Sequence, residues 1–145
     1  MLVQAILKSK ATPGVFTVTS SATVTEVSKV LAEKRIGTVV VSDDDGQTAS
    51  GILSERDIVR ELAANGSGCL TEPVGNYMTR NVVTCTRQNT VQDILTTMTE
   101  GRFRHMPVVE EGKLVGIVTL GDVVKAQLTE LEMEKDALEG MIMGH

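Results

Sequence analysis

The sequence predicts an α+β protein built from one unit used twice. Two observations carry this reading. The segment Gly51-Ile-Leu-Ser-Glu-Arg-Asp57 returns as Gly116-Ile-Val-Thr-Leu-Gly-Asp122, and Ile36-Gly-Thr-Val-Val-Val41 returns as Arg104-His-Met-Pro-Val-Val109, in the same order. Each copy also mixes short apolar runs bounded by turn residues with stretches in which apolar residues recur every three or four positions, which are the marks of strands and helices respectively. Thr23-Val-Thr-Glu-Val27 matches Thr90-Val-Gln-Asp-Ile94, and the approach segments Val3–Lys10 and Val74–Asn81 also line up. The units therefore run over residues 3–66 and 74–128, with a linker at 67–73 and a helix and tail at 129–145.

In the first unit a short strand is expected at Phe16-Thr-Val18. Val24, Val27, Val30 and Leu31 then mark an amphipathic helix, and Thr23 with Glu26 three residues on forms a capping-box signature at its start. Thr38–Val41 is a continuous apolar run between Gly37 and Asp43-Asp-Asp-Gly46, suited to a strand covered on both faces. After a turn at Asp45-Gly46, Ile52-Leu53 gives a second strand, and Ser54 opens a helix that ends near Asn65-Gly66. The second unit repeats this order: a strand at Val82-Val83, a helix on Val91, Ile94, Leu95 and Met98, a strand at Met106–Val109, a turn at Glu111-Gly112 and a strand at Leu114–Val118. Pro107 has no amide hydrogen for a ladder, so its strand should start there or turn that residue to an edge. The Gly, Ser and Pro of 65–73 predict a mobile connection open to proteolysis. The last helix continues through Val124, Leu128, Leu131, Lys135, Leu138 and Ile142, at coiled-coil spacing. It either lies over its own module or pairs with another helix.

Composition limits the function. Of 145 residues, 41% are hydrophobic but only 2% aromatic, so the core is aliphatic. A net charge of −5 leaves no cationic surface for nucleic acid. Cys69 and Cys85 form neither a C-x-x-C nor a disulfide framework, which points to a reducing, intracellular setting. No apolar run reaches the roughly 20 residues of a membrane helix, and the first residues do not read as a signal peptide. A soluble, cytoplasmic protein is expected. His105 and His145 are the only histidines and neither adjoins a nucleophile, and no phosphate loop or metal cluster is present, so no enzyme activity or catalytic metal is expected.

The chemistry rests on the repeated Gly-apolar-apolar-(Ser/Thr)-x-x-Asp segment, which passes from strand to helix in both units. Two readings stand. Ser54 with Asp57, and Thr119 with Asp122, can each close a capping box with no ligand involved. The glycine three residues before each hydroxyl also leaves room for a bound group; the carboxylate can accept two ribose hydroxyls, and the helix start suits phosphate.

The duplicated unit resembles the cystathionine β-synthase (CBS) domain, and Val3 to Leu128 resembles a CBS pair, a regulatory module that binds adenosyl compounds between its repeats. The resemblance implies β-α-β-β-α repeats packed sheet to sheet about a pseudo-two-fold axis, and assembly through helices into a flat homodimer. Ile58, Val59, Leu62, Val123 and Val124 supply apolar surface for such contact. It further implies that Ser54 and Asp57 hold ribose in one site and Thr119 and Asp122 in the other, and that Arg104 and His105 face phosphates. The first unit has Ile36 and Gly37 at that place, so its phosphate contacts must come from elsewhere: Arg56, Arg60, Lys8 or Lys10.

Adenine needs a flat apolar slot. Thr17 or Val18 with Ile36, Gly37 and Thr38 can line one, and Val83 or Thr84 with Met106 and Pro107 the other; Tyr77 flanks a base or sits in the core. No aromatic stack is expected from Phe16, Phe103 or Tyr77, the only rings in the chain. The implied function is sensing of AMP, ADP, ATP, NADH or S-adenosylmethionine, with regulation of a protein target in trans from a stand-alone pair. The competing reading is a dimerising scaffold whose repeated hydroxyl and carboxylate only cap helices.

Overall fold

The computed structural model describes residues 1–10 and 15–143; His145 lies outside the described residues. The first unit begins with helix α1 (Val3–Ser9), followed by strand β1 (Thr17–Val18), helix α2 (Val24–Lys34), strands β2 (Thr38–Val41) and β3 (Gly51–Ser54), and helix α3 (Glu55–Asn65). The second unit contains helix α4 (Val91–Gly101), strands β4 (His105–Glu110) and β5 (Lys113–Thr119), and helix α5 (Leu120–Ile142). β2 lies between β1, which is parallel to it, and β3, which is antiparallel; β4 and β5 form an antiparallel pair. The two β-α-β-β-α units pack sheet to sheet about a pseudo-two-fold axis.

Local signals read from sequence explain most of these elements. Thr23 caps α2 in a full capping box with Glu26. All four residues of β2 are buried, as its unbroken apolar run requires. Asp45 and Gly46, and Glu111 and Gly112, all have positive φ, which lets each hairpin reverse. The first hairpin is longer, and its Gln47 carbonyl accepts a hydrogen bond from the Leu114 amide of the second unit.

The second unit departs from expectation at its first strand. Val82 and Val83 are not in a strand, and Val83 is exposed. Cys85 instead makes a single parallel bridge to Val108, the counterpart of the Val18–Val41 pair in the first unit. The buried Cys85 side chain belongs to the core, which sets the register that the β-branched pair Val82-Val83 suggested wrongly. Pro107 accepts from the Cys85 amide on this sparsely paired side of β4, so its missing donor faces the edge.

The approach segments cross over. Val3 and Ile6 of α1 are buried in the core of the second unit, with Ile94, Met98 and Val118. Val74 and Met78 are buried in the core of the first, with Val27, Leu31 and Leu53. The backbone follows the same exchange in both directions. The amides of Val3 and Gln4 donate to Asn89 and Arg87, and those of Val74 and Gly75 donate to Ala22 and Ser20. The 65–73 stretch is correspondingly packed: Gly66–Thr71 is a 3₁₀ helix, Cys69 is buried and Leu70 lies against the first core. Cys69 and Leu70 tie this connection to the protein, while Gly66, Ser67, Gly68, Thr71, Glu72 and Pro73 stay exposed.

The two motif glycines owe their place to this crossing. A β-carbon on Gly116 would sit 2.7 Å from Leu7 Cδ2 of α1, and one on Gly51 would sit 2.7 Å from both Met78 Sδ and the Thr79 carbonyl oxygen. The space left by each glycine is filled by protein, which corrects the expectation that it leaves room for a ligand. α5 also departs from the alternative in which it lies over its own module. Val123 and Ala126 are buried, whereas Leu128, Leu131, Leu138 and Ile142 are exposed as the helix runs outward.

Gly51→Ala should destabilise the chain by about 1–3 kcal/mol, because backbone blocks the new methyl group. Gly116→Ala should cost less, and Leu7→Ala should recover part of that loss but none of the loss in Gly51→Ala. Urea unfolding of the single and double variants measures this coupling.

Candidate functional site

Thr119 ends β5 and caps α5, where a hydroxyl and a carboxylate three residues apart can satisfy free amides. The Thr119 hydroxyl accepts from the Asp122 amide at 3.1 Å, and Asp122 Oδ2 accepts from the Thr119 amide at 2.9 Å. Ser54 and Asp57 make the same reciprocal pair at 3.2 and 2.9 Å. Both copies are therefore working capping boxes. Their surroundings differ.

Thr119 and Asp122 line a cleft of about 1140 Å³ between the two units. One wall is α1 with Ile6 and Ser9, and Lys10 just past its end; another is α5 with Asp122, Lys125 and Ala126; the third comes from the first unit through Phe16, Lys34, Arg35, Ile36, Gly37 and Thr38. Ile6, Ile36 and Ile117 give it an apolar side. The Thr38 hydroxyl shares a 3.1 Å hydrogen bond with His105 Nδ1, joining the two units at the cleft.

The charge in the cleft is mostly positive. Lys10 Nζ lies 2.9 Å from Asp122 Oδ2 and donates to the Ile117 carbonyl at 2.9 Å. Lys34, Arg35 and Lys125 have no ion-pair partner among the described residues. Burial works to raise the Asp122 pKa, but the Thr119 amide and the Lys10 ammonium outweigh it and hold the carboxyl below its ordinary range. Burial, reinforced by Lys10 and Arg104, lowers the pKa of His105, so its imidazole is neutral at pH 7. It contributes a donor or an acceptor there, not charge.

A family model for the CBS domain matches residues 4–64 and 74–129. The chain belongs to the CBS-domain family. The CBS domain is a regulatory, non-catalytic fold. Among the described residues, no three His, Cys, Asp or Glu side chains are grouped to hold a metal ion, and no helix is long and apolar enough to cross a membrane. A CBS-domain protein of Agrobacterium tumefaciens is 42% identical with a TM-score of 0.82, covering 88% of this chain and 99% of that one. The CBS domain pair of protein MJ0100, in complex with 5′-methylthioadenosine and S-adenosyl-L-methionine, is 28% identical with a TM-score of 0.76, over 90% and 98% of the two chains. The mitochondrial CBS domain-containing protein CBSX3 of Arabidopsis thaliana is 33% identical over 129 residues, 87% of this chain and 63% of that protein. The chain thus spans less than two thirds of this relative's length.

Within the CBS pair, the sequence-derived candidates separate. Ile36, Gly37, Thr38, His105, Thr119 and Asp122 meet in one cleft, so the second repeat's carboxylate faces the first repeat's apolar segment. Ser54, Arg56, Asp57 and Arg104 do not line it, and Arg60 pairs with Asp57 at 3.5 Å. Met106 and Pro107 are buried, Met106 within the second core, while Thr84 is exposed. Val18 packs against the first core. So does Tyr77, whose hydroxyl donates to Glu72. Lys8 does not line the cleft, whereas Lys10 does and pairs there with Asp122.

Among the lining residues that escaped the sequence reading are an aromatic ring and three cations: Phe16, Lys34, Arg35 and Lys125. Phe16 borders the cleft with 41% of its surface exposed, and Lys34 Nζ stands 4.5 Å from its ring centroid, so an aromatic face is present after all. Arg35 ends α2 in the left-handed region at φ 53°, and Arg102 ends α4 likewise at φ 57°. This matched pair of arginines was a repeat signal present in the sequence. Burial alone pushes the Cys85 thiol up to about 11, which leaves it unreactive near neutral pH.

Because His105 holds its proton less readily in the folded chain than in the unfolded one, it adds stability that is complete above the unfolded value of about 6.5 and declines as the pH falls below it. Urea midpoints should drop between pH 7.5 and 5.5, and His105→Gln should flatten that drop.

Proposed function

We propose that this CBS pair is a sensor that binds an adenosyl ligand in the cleft bordered by Thr119 and Asp122. One observation carries the reading: a ribose-competent carboxylate, an apolar slot from the opposite repeat and a surplus of cations converge on one cleft. The Asp122 carboxylate accepts the ribose hydroxyls, Ile36 to Thr38 and Phe16 flank the purine, and His105 contributes a hydrogen bond. AMP, ADP and ATP are the leading ligands, with NADH and S-adenosylmethionine as further candidates. The solved complex of the MJ0100 pair with two adenosyl compounds supports the ligand class.

Occupancy regulates a protein target in trans through its differential affinity for two states of the module. Assembly through helices into a homodimer fits Val59, Leu62 and Val124, which are exposed on α3 and α5. Ser54 and Asp57, with Arg56, Arg104, Val83 and Thr84, belong to the pseudo-symmetric second site of this reading. The working place is the cytoplasm.

One feature favours the scaffold reading: both hydroxyl and carboxylate pairs already satisfy amides as helix caps. Thermal-shift titration of ligand-free protein separates the two. A ligand at about 100 times its Kd should add roughly 2.7 kcal/mol of stability. Asp122→Ala should abolish that gain while costing about 0.5–2 kcal/mol as a lost cap. An unchanged ligand response in Asp122→Ala would remove the ribose assignment; no response of the parent chain to any of the five ligands would favour the scaffold.

A further inference from the structure

Lys10 occupies the carboxylate that a ribose would need. Its ammonium lies 2.9 Å from Asp122 Oδ2, and the same oxygen already accepts from the Thr119 amide. A vicinal diol engages a carboxylate through both oxygens, so a bound ribose and Lys10 compete for Oδ2. Lys10 and Asp122 each keep 26% of their side-chain surface exposed, leaving the pair partly withdrawn from water. Lys10 follows the last residue of α1, and its long flexible stem can swing within the cleft while the helix stays packed on β5.

The consequence depends on what the ligand carries beyond its ribose. Displaced from Asp122, Lys10 shares the cleft with Lys34, Arg35 and Lys125, and among the described residues no other acid lines it. A neutral nucleoside such as adenosine removes one ion pair and supplies no replacement. A ligand with a phosphate at its 5′ end gives Lys10 a new anionic partner and meets the neighbouring cations as well. We propose that Lys10 makes the cleft selective for adenosyl ligands bearing a 5′ anion, by exchanging between Asp122 and that anion. This inference rests on the reading of the cleft as an adenosyl site. It assigns Lys10 two opposite effects, as a competitor of ribose and as a partner of phosphate.

Those opposite effects make the test specific. Isothermal titration of the full, ligand-free chain with AMP, ATP, adenosine and 5′-methylthioadenosine compares the parent with Lys10→Met and Lys10→Arg. The parent should bind AMP and ATP more tightly than the two neutral compounds by about tenfold or more. Lys10→Met should weaken AMP, strengthen adenosine and so shrink the gap by about tenfold, whereas Lys10→Arg, which keeps the cation, should preserve it. A merely structural role for Lys10 would weaken all four ligands together. That result, or an unchanged gap in Lys10→Met, would overturn the inference while leaving the adenosyl reading intact. Failure of all four to bind the parent would overturn the inference, and failure of ADP, NADH and S-adenosylmethionine as well would overturn the adenosyl reading.

Discussion

The exchange of approach segments between the two repeats is the constraint on which the rest of this molecule depends. Neither repeat completes its own core. Val3 and Ile6 fill the second core and Val74 and Met78 fill the first, so separating the repeats would expose apolar side chains on both sides. The backbone bonds from Val3 to Asn89 and from Val74 to Ala22 hold the two exchanges in matching register. The same arrangement places α1 beside β5 and α5, which makes one wall of the cleft and brings Lys10 to Asp122. The site is thus a product of the crossing.

Within that frame, one local device serves two ends. A hydroxyl and a carboxylate three residues apart stabilise a helix start, and the same geometry fixes the carboxylate at the rim of a cleft. Electrostatics distinguish the two copies. Asp57 pairs with the exposed Arg60 of its own helix, which surface screening makes a weak tie. Asp122 is met by Lys10 from a distant element and stands in a cleft with unpaired cations around it. Equal motifs have thereby acquired unequal surroundings.

Much of the fold was legible because its determinants are short-range. The period of Val24, Val27 and Leu31, the capping pairs at Thr23, Ser54 and Thr119, and the turns at Asp45-Gly46 and Glu111-Gly112 each act within a few residues. The site was legible in part for the same reason: Thr119 and Asp122 announce themselves as a repeated motif. Phe16, Lys34 and Lys125 did not, since an isolated ring or a surface lysine has the same local signature wherever it points. Val82-Val83 misled because β-branched residues favour a strand anywhere, while the actual bridge was decided by which side chain, Cys85, the core could bury.

The sequence by itself determined the duplication, the order of elements and the capped carboxylates, because spacing, capping and turn chemistry are encoded by neighbours in the chain. Only the tertiary structure decided that the approach segments cross, that Gly51 and Gly116 are kept small by Met78-Thr79 and Leu7, and that Lys10 faces Asp122. Those outcomes depend on contacts between residues tens of positions apart, chosen by the joint burial of two incomplete cores, and no local pattern carries that information.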